Sequence, residues 1–140
     1  MAEEALGELC SLEALESGNP DITELRLHVL MQAKHWPDAL ATAEKLLRAR
    51  PSAVPAYIHG AFALHELRRT ADARDFLLKG PEELRNDPTF HYNIGCYEAV
   101  LGNREEALQS LRKSFALDST YLDFARRDPD LAGIREALER

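Results

Sequence analysis

Small and apolar residues of this chain return at a fixed interval of 34 residues. Ala39, Ala73 and Ala107 stand 34 positions apart, and Leu77 and Leu111 keep the same interval. The apolar residues around them follow the spacing of an amphipathic helix. A period of this length is typical of solenoids, because a single repeat cannot bury its apolar face without a neighbour. The sequence therefore predicts an all-α fold of about three stacked helical pairs.

The clearest copy extends from Pro88 to Ser119 and has two helical patterns that flank Leu101-Gly102-Asn103. Gly95 in the first pattern is small, and so is Ala107 in the second. Small residues on facing helices let the two backbones approach closely, with Leu111 packed at the same level. This copy is predicted to be a tightly packed helical hairpin.

The stretch YNIGCYEAVLGNREEALQSLRKSFALD resembles a tetratricopeptide repeat. The family has a small residue in the first helix, a glycine before the turn and an alanine in the second helix, which here are Gly95, Gly102 and Ala107. It often has a proline near the end of a repeat, as at Pro51. The resemblance covers roughly residues 20–121. It implies antiparallel helix pairs stacked into a right-handed superhelix, with a concave groove lined by the first helix of each pair.

The same register predicts one domain that spans the whole chain. Its expected parts are an N-terminal capping helix (1–19), repeat 1 (20–53), repeat 2 (54–87), repeat 3 (88–121) and C-terminal capping helices (122–140). Ser119 or Thr120 can cap a short helix over residues 121–127, and Asp128-Pro129-Asp130 can start a final one. Terminal caps of this kind hide the last apolar face of a stack.

Three features depart from the family pattern, of which the first is Arg26-Leu27 in place of the small pair in repeat 1. Lys79-Gly80-Pro81 is predicted to end the second helix of repeat 2 early, because glycine weakens a helix and proline cannot continue one. Pro81 is then suited to begin a short turn before Pro88. Glu98 stands where the family usually has a large apolar residue, and the sequence alone offers no reason for it.

Charge and cysteine content exclude several classes of function. The net charge is −7, whereas binding to nucleic acid or an anionic membrane requires clustered Lys and Arg. Cys10 and Cys96 form neither a disulfide framework nor a zinc spacing. The acidic start MAEEALGEL does not resemble a secretory signal, and no apolar run reaches the roughly 18 residues of a membrane span. A reduced, cytoplasmic setting is therefore expected.

The residues that could carry chemistry do not cluster. Five histidines are present, but none has a partner at metal-ligand spacing, and no nucleophile or phosphate-binding motif occurs. Glu105 and Glu106 open a helix, where the dipole favours carboxylates. We expect no enzymatic activity, no cofactor and no metal.

A second stripe on the first helices is distinct from the stripe that joins each hairpin. In the implied groove it would carry Glu24, His28 and Met31 from repeat 1, Ile58, Phe62 and His65 from repeat 2, and Tyr92, Cys96 and Ala99 from repeat 3. Asn93 beside Tyr92, and Arg126 and Arg127 beyond the third repeat, would complete the groove. The groove would be acidic at one end, apolar and aromatic in the middle and basic at the far end. Aromatic residues in such a surface commonly supply most of the binding energy.

The expected function is that of a non-enzymatic protein–protein interaction module, which binds a peptide or helical segment of a partner protein in the concave groove. Two alternatives stay open. The chain also resembles, in length, charge and repeat number, the tetratricopeptide secretion chaperones used in export and assembly. It could instead be a self-associating structural homo-oligomer, such as a homodimer, or fill the groove with its own termini.

Overall fold

The computed structural model describes residues 19–139, which belong to two compact units that divide after Arg69. The first unit contains α1 (Pro20–Gln32), α2 (Trp36–Ala49) and α3 (Val54–Glu66). The second contains α4 (Thr70–Leu78), a 3₁₀ helix (Glu82–Asn86), α5 (Pro88–Val100), α6 (Arg104–Leu117), α7 (Thr120–Ala125), a second 3₁₀ helix (Pro129–Ile134) and α8 (Arg135–Leu138). Residues 19–139 contain no strand, and the predicted all-α fold class is confirmed.

Three helices begin at the predicted period, since α1, α3 and α5 start at Pro20, Val54 and Pro88. Each has a proline in its first turn, where the missing N–H costs nothing. Asn19 and Asp87 also accept a hydrogen bond from the backbone two residues ahead, as helix N-caps do. The predicted N-terminal capping helix (1–19) lies, apart from Asn19, outside the described residues. The division into repeats stays a prediction.

The turns that follow α1, α3 and α5 share one backbone geometry. Lys34, Arg68 and Gly102 occupy equivalent positions 34 residues apart, with φ angles of 59°, 66° and 86°. In each turn the following N–H bonds back to the carbonyl five residues earlier, as in His35 N to Leu30 O at 3.0 Å. This is the Schellman arrangement, which favours glycine at the left-handed position. Only Gly102 meets that preference.

Glycine at the left-handed positions is therefore expected to stabilise the chain. Arg68→Gly should raise the free energy of unfolding by about 0.5–1 kcal/mol, and Gly102→Ala should lower it by about 1–2 kcal/mol. Urea denaturation measures both changes. Gly133→Ala is the matched control, because Gly133 has ordinary φ and nothing within 4 Å of an added Cβ. If Gly133→Ala lowered the free energy of unfolding as much as Gly102→Ala, the positive φ of Gly102 would not explain the effect.

The hairpin of α5 and α6 is as tight as its small residues predict. A Cβ added at Gly95 would lie 2.6 Å from Leu111 Cγ and 3.3 Å from the carbonyl oxygen of Ala107. Ala107 and Leu111 are themselves fully buried. Any larger residue at this crossing would have to move the Leu111 side chain, which confirms the predicted close packing.

The early end of α4 is also confirmed, and Arg85 explains how it is stabilised. α4 stops at Leu78, and the 3₁₀ helix follows Pro81. The guanidinium of Arg85 donates to the carbonyl oxygens of Leu78 at 2.8 Å and Gly80 at 2.6 Å. It also lies 4.7 Å from the centre of the Phe90 ring. Arg85 thus satisfies carbonyl groups that the shortened helix leaves open.

The C-terminal segment, which comprises α7, the second 3₁₀ helix and α8, packs against α5 and α6 within the second unit. Its buried residues join one cluster with residues of α5 and α6: Ala125, Leu131, Ile134 and Ala137. Ser119 occupies the N-cap position of α7, as predicted, but its hydroxyl makes no capping bond. Asp118 accepts from Thr120 N at 3.0 Å. The final helix begins as 3₁₀ after Asp128, whose carboxylate accepts from Asp130 N at 3.0 Å.

Candidate functional site

The stripe predicted on α1 is accessible. Glu24 and Met31 are half-buried and His28 is exposed, while Thr23, Leu27 and Leu30 on another face of the helix are buried. The separation follows from helical spacing, since residues 24, 28 and 31 are i, i+4 and i+7. The first unit therefore leaves this part of the predicted surface open.

The matching stripe on α3 is also accessible. Ile58 and His65 are half-buried, and Phe62 is 37% exposed. The ring of Phe62 lies 5.7 Å from that of Trp36 at an interplanar angle of 57°. This tilted contact is favourable between aromatic rings and restrains Phe62 where a partner could reach it.

A cleft of about 460 Å³ lies between α1 and α3 of the first unit. We call it the α1–α3 cleft. Its lining combines acidic, apolar and imidazole side chains: Asp21, Glu24, Leu25, Leu27, His28, Pro55 and His59. The volume is within the range of sites that bind small ligands or single side chains. Glu24 and His28 belong to both the predicted stripe and this cleft.

One arginine reaches the acidic side of the cleft from the end of α2. Arg50 lies 2.7 Å from Asp21 and 3.6 Å from Glu24. The side chains of Arg50 and Asp21 are 40% and 75% exposed, so water screens this pairing and it adds little stability. Two carboxylates facing one guanidinium leave a net negative charge at this side.

His59 lines the α1–α3 cleft and lies outside the two predicted stripes. Burial lowers the pKa of its imidazole below the ordinary 6.5, nearby His28 lowers that pKa further, and Glu24 opposes the shift. Burial disfavours the protonated ring, so His59 is neutral at neutral pH. His59 therefore adds no positive charge to that of Arg50 at the cleft.

The lowered pKa of His59 predicts a stability that falls in weak acid. The unfolded chain protonates this ring at higher pH than the folded chain, so its contribution is complete above about pH 6.5 and is lost as the pH falls. His59→Gln should flatten the dependence of the unfolding free energy on pH between about 7 and 5. Urea denaturation at several pH values measures the slope. An unchanged slope in the variant would contradict the prediction.

The structure corrects two residues of the predicted groove. Tyr92 and Cys96 are buried in the cluster that includes Ala125 and Leu131, because the C-terminal segment lies over this face of α5. The Tyr92 hydroxyl donates to Asp128 Oδ2 at 2.8 Å, and Cys96 Sγ lies 3.7 Å from the same oxygen. Burial raises the pKa of both groups. Both side chains are therefore mainly part of the core, and only 8% of Tyr92 and 6% of Cys96 are exposed.

The net positive charge at the far end of the predicted groove is also smaller than predicted. Arg126 is exposed, but it pairs with Asp123 at 3.0 Å and Glu139 at 2.8 Å. Arg127 Nε donates to the carbonyl oxygen of Asp123 at 3.4 Å. Asn93 is half-buried on α5. The two carboxylates therefore neutralise much of the charge expected from Arg126.

A shallow cleft of about 430 Å³ occurs beside these arginines in the second unit, lined by Tyr92, Phe124, Arg127 and Asp128. Phe124 is well exposed, and its ring lies 6.0 Å from that of Tyr121. The carboxylate of Asp128 accepts a hydrogen bond from the Tyr92 hydroxyl. Arg127 contributes a positive charge to the lining. The sequence predicted Arg127 here but not Phe124 or Asp128.

Residues 19–139 contain neither a cluster of metal-ligand side chains nor a helix suited to a membrane span. No group of three or more His, Cys, Asp or Glu side chains among them could hold a metal ion. None of their helices is both long enough and apolar enough to cross a membrane.

Comparisons with known proteins point to one fold. No protein-family model matches the sequence, and no curated protein matches it. Among solved structures, MamA 41-end from Desulfovibrio magneticus RS-1 aligns over 99% of this chain and 80% of its own, with a TM-score of 0.83 and 17% identity. MamA MSR-1 aligns over 86% and 69%, with a TM-score of 0.76 and 21% identity. MamA has the tetratricopeptide repeat fold. At these identities the likeness extends to the fold alone, and it agrees with the fold implied by the repeat pattern.

Proposed function

We propose that this chain is a non-enzymatic interaction module that binds a peptide or helical segment of a partner protein on α1 and α3. The observation that carries the proposal is the accessible surface of the first unit, where Phe62 stands exposed on α3 and the α1–α3 cleft opens between the two helices. The likeness in fold to tetratricopeptide structures supports it. Helix-lined surfaces of this kind suit an extended or helical ligand.

Phe62 is suited to be the principal anchor. A partner that covered its ring would remove apolar area from water, and aromatic anchors commonly dominate binding energy. Because Trp36 already restrains the ring at a centroid distance of 5.7 Å, little side-chain entropy would be lost on binding. Met31 and Ile58 add half-buried apolar area on the same stripes.

Capture by immobilised protein tests the proposal. Phe62→Ala should remove the partner proteins that wild-type chain retains from native lysate, because the anchor is lost. Leu117→Ala should retain them, since Leu117 is an exposed apolar residue on α6 of the second unit. Mass spectrometry of the eluates identifies which proteins change, and thermal unfolding checks that both variants stay folded.

Two results would count against peptide binding at this surface. The first is an identical set of proteins retained by wild-type chain and Phe62→Ala. The second is a wild-type homodimer in light scattering that Phe62→Ala converts to monomer. That second result would assign the surface to self-association, the structural alternative.

A further inference from the structure

The α1–α3 cleft combines two properties that one long side chain would need. Its lining includes the carboxylates of Asp21 and Glu24 and the apolar side chains of Leu25, Leu27 and Pro55. Leu27 is fully buried, while Leu25 is exposed beside it. Apolar walls next to carboxylates suit a side chain with a hydrocarbon stem and a charged head.

The sign of the charge in the cleft selects a cation. Two carboxylates face the guanidinium of Arg50, and burial keeps His59 neutral at neutral pH. The chain as a whole carries a net charge of −7. An approaching cation is therefore attracted both at long range and at the cleft itself, and an acidic segment is repelled.

Arg50 already makes, within this chain, the kind of contact that a partner's cation would make with Asp21 and Glu24. Its guanidinium lies within 4 Å of both carboxylates, which demonstrates that their spacing accommodates this group. The pairing is exposed, so rearranging it would cost little. A second guanidinium could share the two carboxylates with Arg50 or replace it there.

We infer that the partner segment inserts an arginine or lysine into the α1–α3 cleft, with its methylenes against Leu25 and Pro55 and its charge beside Asp21 and Glu24. This inference rests on the proposed function, since it specifies the partner's chemistry at the same surface. Arginine suits the site better than lysine, because its planar fork can contact both carboxylates. The partner is then a segment that pairs one basic residue with an apolar side chain for Phe62.

Peptide pools that differ at one position test this inference. Each pool randomises leucine, alanine and serine around a central residue, which is arginine, its neutral isostere citrulline, or glutamate. Immobilised full-length protein should retain the arginine pool about three- to fivefold more than the citrulline pool, as expected for a partly exposed ion pair, and the glutamate pool least. Mass spectrometry quantifies the retained peptides.

Two variants separate failure of this inference from failure of the proposed function. Glu24→Gln should remove the preference for arginine, and Glu44→Gln, at an exposed position on α2, should keep it. If Phe62→Ala releases all pools but wild-type protein does not prefer arginine, the inference is overturned and the proposed function stands. If wild-type protein retains no pool better than Phe62→Ala does, both fail. A homodimer that Glu24→Gln dissociates would mean that a second copy occupies the cleft, which also overturns the inference.

Discussion

Replacing Tyr92 by alanine is expected to lower the free energy of unfolding by about 3–5 kcal/mol, the range for truncating a large aromatic side chain in a core. Tyr92 is 8% exposed and lies in one cluster with residues of α6 and the C-terminal segment. Its ring is 5.3 Å from that of Tyr121. Truncation would open a cavity under α7 and remove the donor to Asp128. Urea denaturation followed by circular dichroism measures the loss.

The hydroxyl and the ring of Tyr92 can be separated experimentally. Tyr92→Phe keeps the packing and leaves the carboxylate of Asp128 without its phenolic donor, at an expected cost of about 1–3 kcal/mol. Phe62→Ala is the control for an exposed aromatic residue and should cost less than about 1 kcal/mol. If Tyr92→Ala were as mild as Phe62→Ala, Tyr92 would line an open groove, as its spacing alone suggested.

The case of Tyr92 marks a limit of pattern-based prediction. Helical spacing distinguishes residues 92 and 96 from residues such as Gly95, but it cannot identify what covers them, and in the structure they share one buried cluster with α6 and the C-terminal segment. A partner's helix and the chain's own cap both require an apolar, partly aromatic surface. Asp128 was predicted as a helix start, which it is. That its other carboxylate oxygen accepts from Tyr92 depends on a contact between residues 36 positions apart.

Local features of the fold were predicted well because their causes are local. Proline in the first turn starts α1, α3 and α5, and Lys79-Gly80-Pro81 ends α4. The 34-residue spacing follows from repetition of one turn, with left-handed φ at Lys34, Arg68 and Gly102. The sequence does not predict a left-handed conformation at Lys34 or Arg68, because neither residue is glycine.

The α1–α3 cleft was predicted only in part. Glu24 and His28 follow from the stripe on α1, but Asp21, Pro55 and His59 lie outside the two predicted stripes. Arg50 reaches Asp21 across 29 residues of sequence, a pairing that neither charge pattern nor period specifies. Sites that depend on the approach of two helices need their relative placement, which repeat spacing does not supply.

Glu98 has a structural explanation that the sequence did not offer. Its side chain is only 12% exposed, and its Oε1 accepts from Arg74 Nη1 at 2.9 Å and from Asn103 Nδ2 at 3.2 Å. The contact joins α4 to α5 within the second unit. A carboxylate at a position that the family usually fills with an apolar residue is thus compensated by a cation one helix earlier.

This pairing predicts opposite results for single and double substitutions. Arg74→Met should lower the free energy of unfolding by about 2–3 kcal/mol, because Glu98 keeps its charge in a poorly hydrated place with only Asn103 as donor. Adding Glu98→Leu should restore wild-type stability or exceed it by up to about 2 kcal/mol, since well-packed apolar groups can replace a buried ion pair.

Asp75→Ala is the control, because Asp75 pairs with Arg74 from an exposed position. Denaturation of the wild-type protein, the single variants Arg74→Met and Glu98→Leu and the double variant gives the coupling energy directly. A double variant no more stable than Arg74→Met would mean that the ion pair itself, and not satisfaction of the Glu98 charge, holds α4 against α5.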